Sequence, residues 1–160
     1  TNALFQLNEG EDMFIRGVYG AQAPMTDKQE AYIVAGGTGI AVVPKLAEEL
    51  NRAGKKVKVY YGISSPEEAI LSDEISKYAE YIPITDKGVK GRVLEKLADD
   101  LIGRNINEIA FYNIGPVPLM DKAVKVQEKI GAKPEDTLIS LETKNMCGIG
   151  MCGECECGGK

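Results

Sequence analysis

Hydrophobic positions follow two alternating spacings between residues 31 and 141. Short runs rich in Val, Ile and Tyr predict strands at 31–35, 57–62, 81–85, 108–114 and 137–141. Between them, apolar residues at helical spacing predict helices over 40–53, 64–79, 93–102 and 118–130. Strands that alternate with helices are typical of parallel βαβ units. The pattern therefore predicts an α/β fold, a five-stranded parallel Rossmann-like sheet flanked by helices.

The two ends of the chain do not follow this alternation. Leu4, Phe5 and Leu7, then Phe14 and Ile15, predict short extended pieces on either side of an acidic turn, and a polar linker follows. The last seventeen residues carry all four cysteines of the chain, which predicts a cysteine-rich C-terminal lobe. We therefore expect three parts: 1–30, a nucleotide-binding α/β domain over 31–143, and a cysteine loop over 144–160.

Composition excludes several classes of function. The 160 residues carry a net charge of −5 with acidic and basic residues mixed, and no basic cluster indicates nucleic-acid binding. The absence of histidine excludes Ser-His-Asp triads and histidine metal ligands. No apolar run reaches the length of a membrane span. Clustered thiols without a targeting segment favour the cytoplasm.

The cysteine spacing is the most specific chemical signal. Cys147, Cys152 and Cys155 form a C-x4-C-x2-C pattern, which is typical of plant-type [2Fe–2S] loops, and Cys157 is the candidate fourth ligand. Interleaved glycines would let the backbone fold closely around a cluster. A zinc site is an alternative, although structural zinc sites favour two cysteine pairs separated by a longer insert. Two disulfides are a weaker alternative, because such frameworks belong to small secreted domains.

Three glycine-bearing turns follow predicted strands. In a parallel sheet such turns share one edge, where ligands bind near the reversal of strand order. A glycine turn that opens a helix also suits a phosphate group, because its N–H groups and the helix dipole attract anions. The candidate nucleotide-binding residues are Gly36, Gly37, Thr38, Gly39, Ile40, Gly62, Ser64, Ser65, Gly115 and Pro116. Asp86 follows the third strand at the same edge, where a solvated loop charge is the simpler interpretation.

Several of these motifs resemble the electron-transfer subunit of dihydroorotate dehydrogenase, a member of the ferredoxin reductase-like family. The matching segments are 15–20, 35–40, 115–120, 140–142 and 146–152, of which the last is the most specific. The resemblance implies a pyrimidine-biosynthesis subunit that passes electrons from NADH through FAD and a [2Fe–2S] cluster to a partner flavoprotein, in a hetero-oligomer. Small subunits of sulfide dehydrogenase and of NADH-dependent ferredoxin oxidoreductases are similar and stay as alternatives.

The resemblance also implies where FAD and NAD bind. FAD is expected near Arg16, Gly17, Tyr19, Gly20, Thr38 and Glu142. NAD is expected in preference to NADP, because Glu67 and Glu68 disfavour a 2′-phosphate. The chain departs from the family in lacking the N-terminal flavin barrel; residues 3–20 match only its closing strands, so 1–30 is expected to be the tail of a flavin-type domain and a linker. A non-catalytic remnant that binds a nucleotide or a partner, with a structural zinc or an empty cysteine site, is therefore the second interpretation.

Overall fold

The computed structural model describes residues 2–14, 23–86, 92–140, 147 and 151–152. The chain forms two compact units, residues 1–22 with 143–160 and residues 23–142. In the first unit, residues Asn2–Phe5 form the short helix α1, where the sequence predicted an extended piece. The acidic turn is present, because the Glu11 carboxylate accepts hydrogen bonds from the Asn8 backbone and side-chain N–H groups at 2.9 and 3.2 Å.

The second unit is built on the predicted five-stranded parallel sheet. Its strands are β1 Glu30–Gly36, β2 Lys56–Ile63, β3 Glu80–Thr85, β4 Ile109–Ile114 and β5 Thr137–Ser140. They lie in the order β3-β2-β1-β4-β5, and every neighbouring pair is parallel. The predicted fold class is confirmed for the sheet and its helices. The predicted cysteine-rich lobe falls largely outside the described residues. Two of its cysteines are described: Cys147 is partly buried and Cys152 is exposed.

Three long helices cover the sheet. They are α2 Val43–Arg52, α4 Arg92–Leu101 and α5 Val117–Lys129. The predicted helix at residue 40 begins instead with a 3-10 helix over Gly37–Val42. Pro44 explains the difference, because it has no N–H to donate to Ile40 in an α-helix, and the Val43 N–H donates to the Ile40 carbonyl instead.

The long helix predicted over 64–79 is wrong. The segment contains a 3-10 helix over Pro66–Glu68 and a single-turn helix α3 over Ser72–Ile75. Leu71 separates them in a left-handed conformation with φ of 59°, which a continuous right-handed helix excludes. The break turns Leu71 and Ile75 toward the core, where Ile75 is fully buried. Tertiary packing therefore overrides the helical periodicity in this segment.

Both faces of the sheet are buried. Ile33, Val59 and Tyr61 pack beneath α2 and α3 on one face, while Tyr32, Tyr60 and Phe111 pack beneath α4 and α5 on the other. This two-sided burial explains why the central strands are nearly continuous apolar runs in the sequence. In the part of the chain that the structure describes, no helix is long and apolar enough to cross a membrane.

One polar pair lies inside the core between β4 and α5. The Asn113 and Gln127 side-chain amides exchange two hydrogen bonds, at 2.9 and 2.8 Å, and Asn113 also donates to the Leu138 carbonyl at 3.2 Å. Both side chains are almost completely buried. Mutual pairing satisfies their donors and acceptors, so they are tolerated among apolar neighbours.

Two contacts hold the segment that leads into β1. The Tyr112 hydroxyl donates to the Pro24 carbonyl at 2.8 Å, and Lys28 forms a salt bridge with Asp136 at 3.1 Å. Lys28 and Asp136 are both largely shielded from solvent, so their attraction is screened less than that of exposed pairs. Residues 24–28 are therefore fixed to the sheet unit although they belong to no strand or helix.

Candidate functional site

The candidate site lies where β1 and β4 are adjacent at the carboxyl edge of the sheet. The chain after β1 continues into α2, which packs on one face, while the chain after β4 continues into α5, which packs on the other. The two connections thus diverge and leave a crevice at the reversal of strand order, where ligands bind in open α/β sheets. The turns at Gly36–Gly37 and Gly115–Pro116 border this crevice.

Glycines bring the backbones of the two turns into contact. A Cβ at Gly39 would lie 2.9 Å from the Ile114 carbonyl oxygen and 3.0 Å from the Gly115 Cα. A Cβ at Gly115, whose φ is +143°, would lie 2.8 Å from the Gly36 carbonyl oxygen. A side chain at either position would force the turns apart. The glycines therefore allow the two backbones to approach closely, whereas the sequence predicted that they admit a phosphate group.

A cavity of about 340 Å³ opens at this edge. It lies within the size range of small-ligand pockets. Apolar side chains supply much of the wall, with a few polar groups among them. The lining residues are Gly36, Gly37, Gly62, Ile63, Ser64, Asp86, Val93, Pro116, Pro118, Leu119 and Lys122. The composition suits a ligand with flat apolar parts and a small number of polar contacts.

Tyr61 is hydrogen-bonded to the glycine turn that follows β1. Its hydroxyl donates to the Gly37 carbonyl at 3.2 Å, and the side chain is only 3% exposed. Burial raises the pKa of this hydroxyl, with a smaller contribution from the charge of Glu68. The hydroxyl therefore keeps its proton, and with it the hydrogen bond, over the neutral range. Tyr60 and Tyr61 both pack in the core.

Two glutamates cover the turn that follows β2. The Glu68 carboxylate accepts a hydrogen bond from the Ser64 N–H at 3.0 Å. A hydrogen bond from the Ser65 side chain lowers the pKa of Glu67. The charged form of Glu67 is therefore favoured, and the Glu68 carboxylate lies against Ser64, which lines the cavity. The Ser64 N–H, which would otherwise suit an anionic ligand, is already paired with a carboxylate.

Of the residues predicted to bind nucleotide, five line the cavity together: Gly36, Gly37, Gly62, Ser64 and Pro116. Gly39 and Gly115 form the backbone contact behind it. Thr38 is exposed and Ser65 is partly exposed, while the Ile40 side chain is buried in the core. Only the backbone of Ile40 can therefore face a ligand.

The remaining candidates lie outside the described residues. They are Arg16, Gly17, Tyr19, Gly20, Glu142, Cys155 and Cys157. Among the residues that the structure does describe, no three acidic or cysteine side chains come together as a metal site. Cys147 and Cys152 are the two described members of the cysteine motif, and their thiolates have the donor chemistry that iron–sulfur clusters require.

The structure adds residues that the sequence interpretation did not select. Val93, Pro118, Leu119 and Lys122 line the cavity, and so does Asp86, for which a solvated charge was the simpler interpretation. Pro118 and Lys122 are four residues apart on α5, so they share one face of that helix. That spacing after the Gly-Pro turn was the available signal for Lys122.

Comparison with known proteins relates the chain to one group of subunits. It is 31% identical, over 98% of its length, to the dihydroorotate dehydrogenase B (NAD(+)) electron transfer subunit of Fusobacterium nucleatum. It is 30% identical, over 98% of its length, to the corresponding subunit of Caldanaerobacter subterraneus. The chain spans 61% and 60% of these two relatives. No family model matches it.

Solved structures share the fold. An NADH-dependent reduced ferredoxin-NADP oxidoreductase superposes with a TM-score of 0.78 over 96% of this chain and 55% of its own, at 24% identity. The C-terminal domain of a Pyrococcus furiosus hydrogenase gives a TM-score of 0.62 over 78% of this chain and its own entire length, at 19% identity. A ferredoxin reductase of carbazole 1,9a-dioxygenase gives 0.59 over 69% of this chain and 37% of its own, at 20% identity. At these identities the likeness shows the fold alone.

Proposed function

Since the chain belongs to the family of the dihydroorotate dehydrogenase B electron transfer subunits, we propose that it passes electrons from NADH, through FAD and a [2Fe–2S] cluster, to a partner flavoprotein dehydrogenase. The chain spans about three fifths of those relatives, and the proposal concerns the steps that this part would perform.

The observation that carries the proposal is the glycine-walled cavity at the carboxyl edge. The Gly36–Gly37 turn follows β1 and opens a helix, which is the arrangement that binds the diphosphate of a dinucleotide. The Leu119 side chain packs directly against Gly36, where a Cβ would collide with it, and both residues line the cavity. Thr38, exposed beside the turn, offers a hydroxyl donor to the same phosphates.

The charges after β2 support NADH over NADPH. Glu68 is bound to the Ser64 N–H and Glu67 is hydrogen-bonded to Ser65, so two carboxylates border the turn where a ribose is expected. A 2′-phosphate there would meet negative charge and find the Ser64 N–H already paired. A ribose 2′-hydroxyl, in contrast, can donate to a carboxylate.

The residues proposed to bind the two cofactors lie mostly before and after the sheet unit along the chain. Arg16, Gly17, Tyr19, Gly20, Thr38 and Glu142 would hold FAD. Cys147, Cys152, Cys155 and Cys157 would hold the cluster in the C-terminal lobe, as thiolates. When bound, FAD would take a hydride as an electron pair and release single electrons to the cluster. The residues of the chain would bind the nicotinamide nucleotide and would position FAD between that nucleotide and the cluster.

The partner is proposed to be the catalytic flavoprotein subunit of a hetero-oligomer, docking at the cysteine-rich lobe. An electron acceptor must approach the cluster, and the described thiol of Cys152 is exposed. A reducing cytoplasm would keep the four thiols available for iron.

A steady-state assay with NADH and a dye acceptor tests the electron-transfer function. The iron-loaded chain, supplied with FAD, is expected to oxidise NADH. Its broad visible absorption is expected to bleach with dithionite and to be lost in Cys152→Ser. Met151→Leu, at the neighbouring exposed position, is the control and should keep the absorption. Stoichiometric zinc without iron, or no oxidation of NADH, would instead support the non-catalytic remnant.

Nucleotide preference is tested by titration with NADH and NADPH. The wild-type chain is expected to bind NADH more tightly. Glu68→Gln removes one negative charge beside the turn and should narrow that preference by improving NADPH binding. Glu74→Gln, an exposed change on α3, is the matched control. Equal affinity of the wild-type chain for both nucleotides would contradict the assignment of the glutamates.

A further inference from the structure

The cavity contains two charged side chains, Asp86 and Lys122. Lys122 makes no ion pair with any described residue, whereas five of the ten other described lysines do. The contrast is sharpest with Lys125, one turn away on α5, which pairs with Asp121 at 2.7 Å. Lys122 thus presents an unneutralised ammonium group at the cavity.

The position of Lys122 follows from the helix that carries it. Pro118, Leu119 and Lys122 occupy one face of α5, and all three line the cavity. Asp121 and Lys125 do not line the cavity, although they are exposed as Lys122 is. The helix therefore carries a paired lysine away from the cavity and an unpaired lysine at its border.

The turn after β1 supplies the second part of an anion site in the same cavity. Gly36 and Gly37 line the same cavity, and Gly37 has φ of +53°, a backbone conformation that a side chain would strain. A lysine ammonium acts as a point charge on a long flexible stem, so it can reach a phosphate held against a backbone turn.

We propose that Lys122 binds a phosphoryl oxygen of the dinucleotide diphosphate held at the Gly36–Gly37 turn of the same cavity. The inference rests on the proposed nucleotide function and assigns a binding residue to it. Lys122 then contributes to affinity for every ligand that carries the diphosphate and contributes nothing to the adenosine part.

Calorimetric titration of the full chain with NADH, ADP and adenosine tests the assignment. Lys122→Gln should weaken NADH and ADP binding about tenfold, as expected for loss of a charge-assisted hydrogen bond, while adenosine binding is unchanged. Lys122→Arg should retain most of the ADP affinity, because it keeps the charge. Lys125→Gln is the matched control on the same helix and should bind all three ligands as the wild type does.

A second measurement compares the salt dependence of the wild-type chain with that of Lys122→Gln. Raising the salt concentration should weaken ADP binding more than adenosine binding, and the difference should shrink in Lys122→Gln. Wild-type ADP affinity in Lys122→Gln, or an equal loss for adenosine, would refute the role of Lys122 and leave the nucleotide site standing. Failure of the wild-type chain to bind NADH or ADP would refute the nucleotide site itself, and the inference with it.

Discussion

The buried amide pair between Asn113 and Gln127 should contribute strongly to stability. Gln127→Met keeps the approximate size of the side chain but removes both hydrogen bonds between the amides. The Asn113 carbonyl oxygen then lies buried without its donor, while its amide nitrogen keeps the bond to Leu138. Two lost bonds at about 1 kcal/mol each, with about 1–3 kcal/mol for the orphaned acceptor, give an expected loss of roughly 3–5 kcal/mol.

A double-mutant cycle isolates the pair. Asn113→Leu alone should also be costly, because it leaves Gln127 buried without a partner. Asn113→Leu combined with Gln127→Met removes both partners, so its loss should be smaller than the sum of the single losses by about 1 kcal/mol or more. Urea unfolding followed by circular dichroism measures all three variants. Glu128→Met, at the exposed neighbouring position, is the control for the methionine substitution.

Two results would refute this reasoning. A loss below about 0.5 kcal/mol for Gln127→Met would show that the amide pair adds little to stability, since surface substitutions have effects of that size. Additive losses in the cycle would show that the two side chains act independently. Either result would mean that size and shape alone decide this part of the core.

Three further predictions follow from other contacts. Gly39→Ala should weaken NADH binding in a fluorescence titration, because its Cβ would lie 2.9 Å from a carbonyl oxygen of the facing turn; unchanged affinity would contradict the close-approach argument. Tyr112→Phe should cost about 1 kcal/mol and speed proteolysis near Pro24, because the hydroxyl bond at 2.8 Å is lost; wild-type cleavage would show that this bond does not hold the segment. Burial, assisted by the hydrogen bond to Glu30, raises the pKa of Tyr32 to about 12. The buried neutral hydroxyl of Tyr32 should therefore contribute to the free energy of unfolding below about pH 10, and this contribution should be lost as the pH rises toward 12. The free energy of unfolding of Tyr32→Phe should depend less on pH in that window than that of the wild type.

The sequence predicted the sheet because its central strands are buried on both faces. Residues such as Ile33, Val59 and Phe111 must be apolar in that environment, and their runs are visible without any tertiary information. The helix over 64–79 could not be predicted correctly in the same way. Its break depends on Leu71 adopting a left-handed conformation to reach the core, which no local pattern indicates.

The candidate site was predictable in its backbone and less so in its side chains. Glycines after strands are direct signals of close approach, and Gly36, Gly37 and Gly62 do line the cavity. Lys122 lines the same cavity because α5 follows β4, and β4 lies beside β1 in the sheet. Predicting its position therefore requires knowledge of the strand order. Its spacing from Pro118 was visible, but that spacing indicates a shared helix face and not what the face borders.

The central position of β1 also affects how the chain is synthesised and folds. β1 pairs with β2 soon after it in the chain, but its other edge pairs residue 30 with residue 109. While the chain leaves the ribosome, that edge stays open until β4 emerges, and an open edge can pair with another chain. Closure by so distant a strand is slow, because the loop entropy is lost before the pairing is gained. We therefore expect the yield of folded protein to fall as its concentration during synthesis rises. The yield should recover when chaperones cover the open edge of β1.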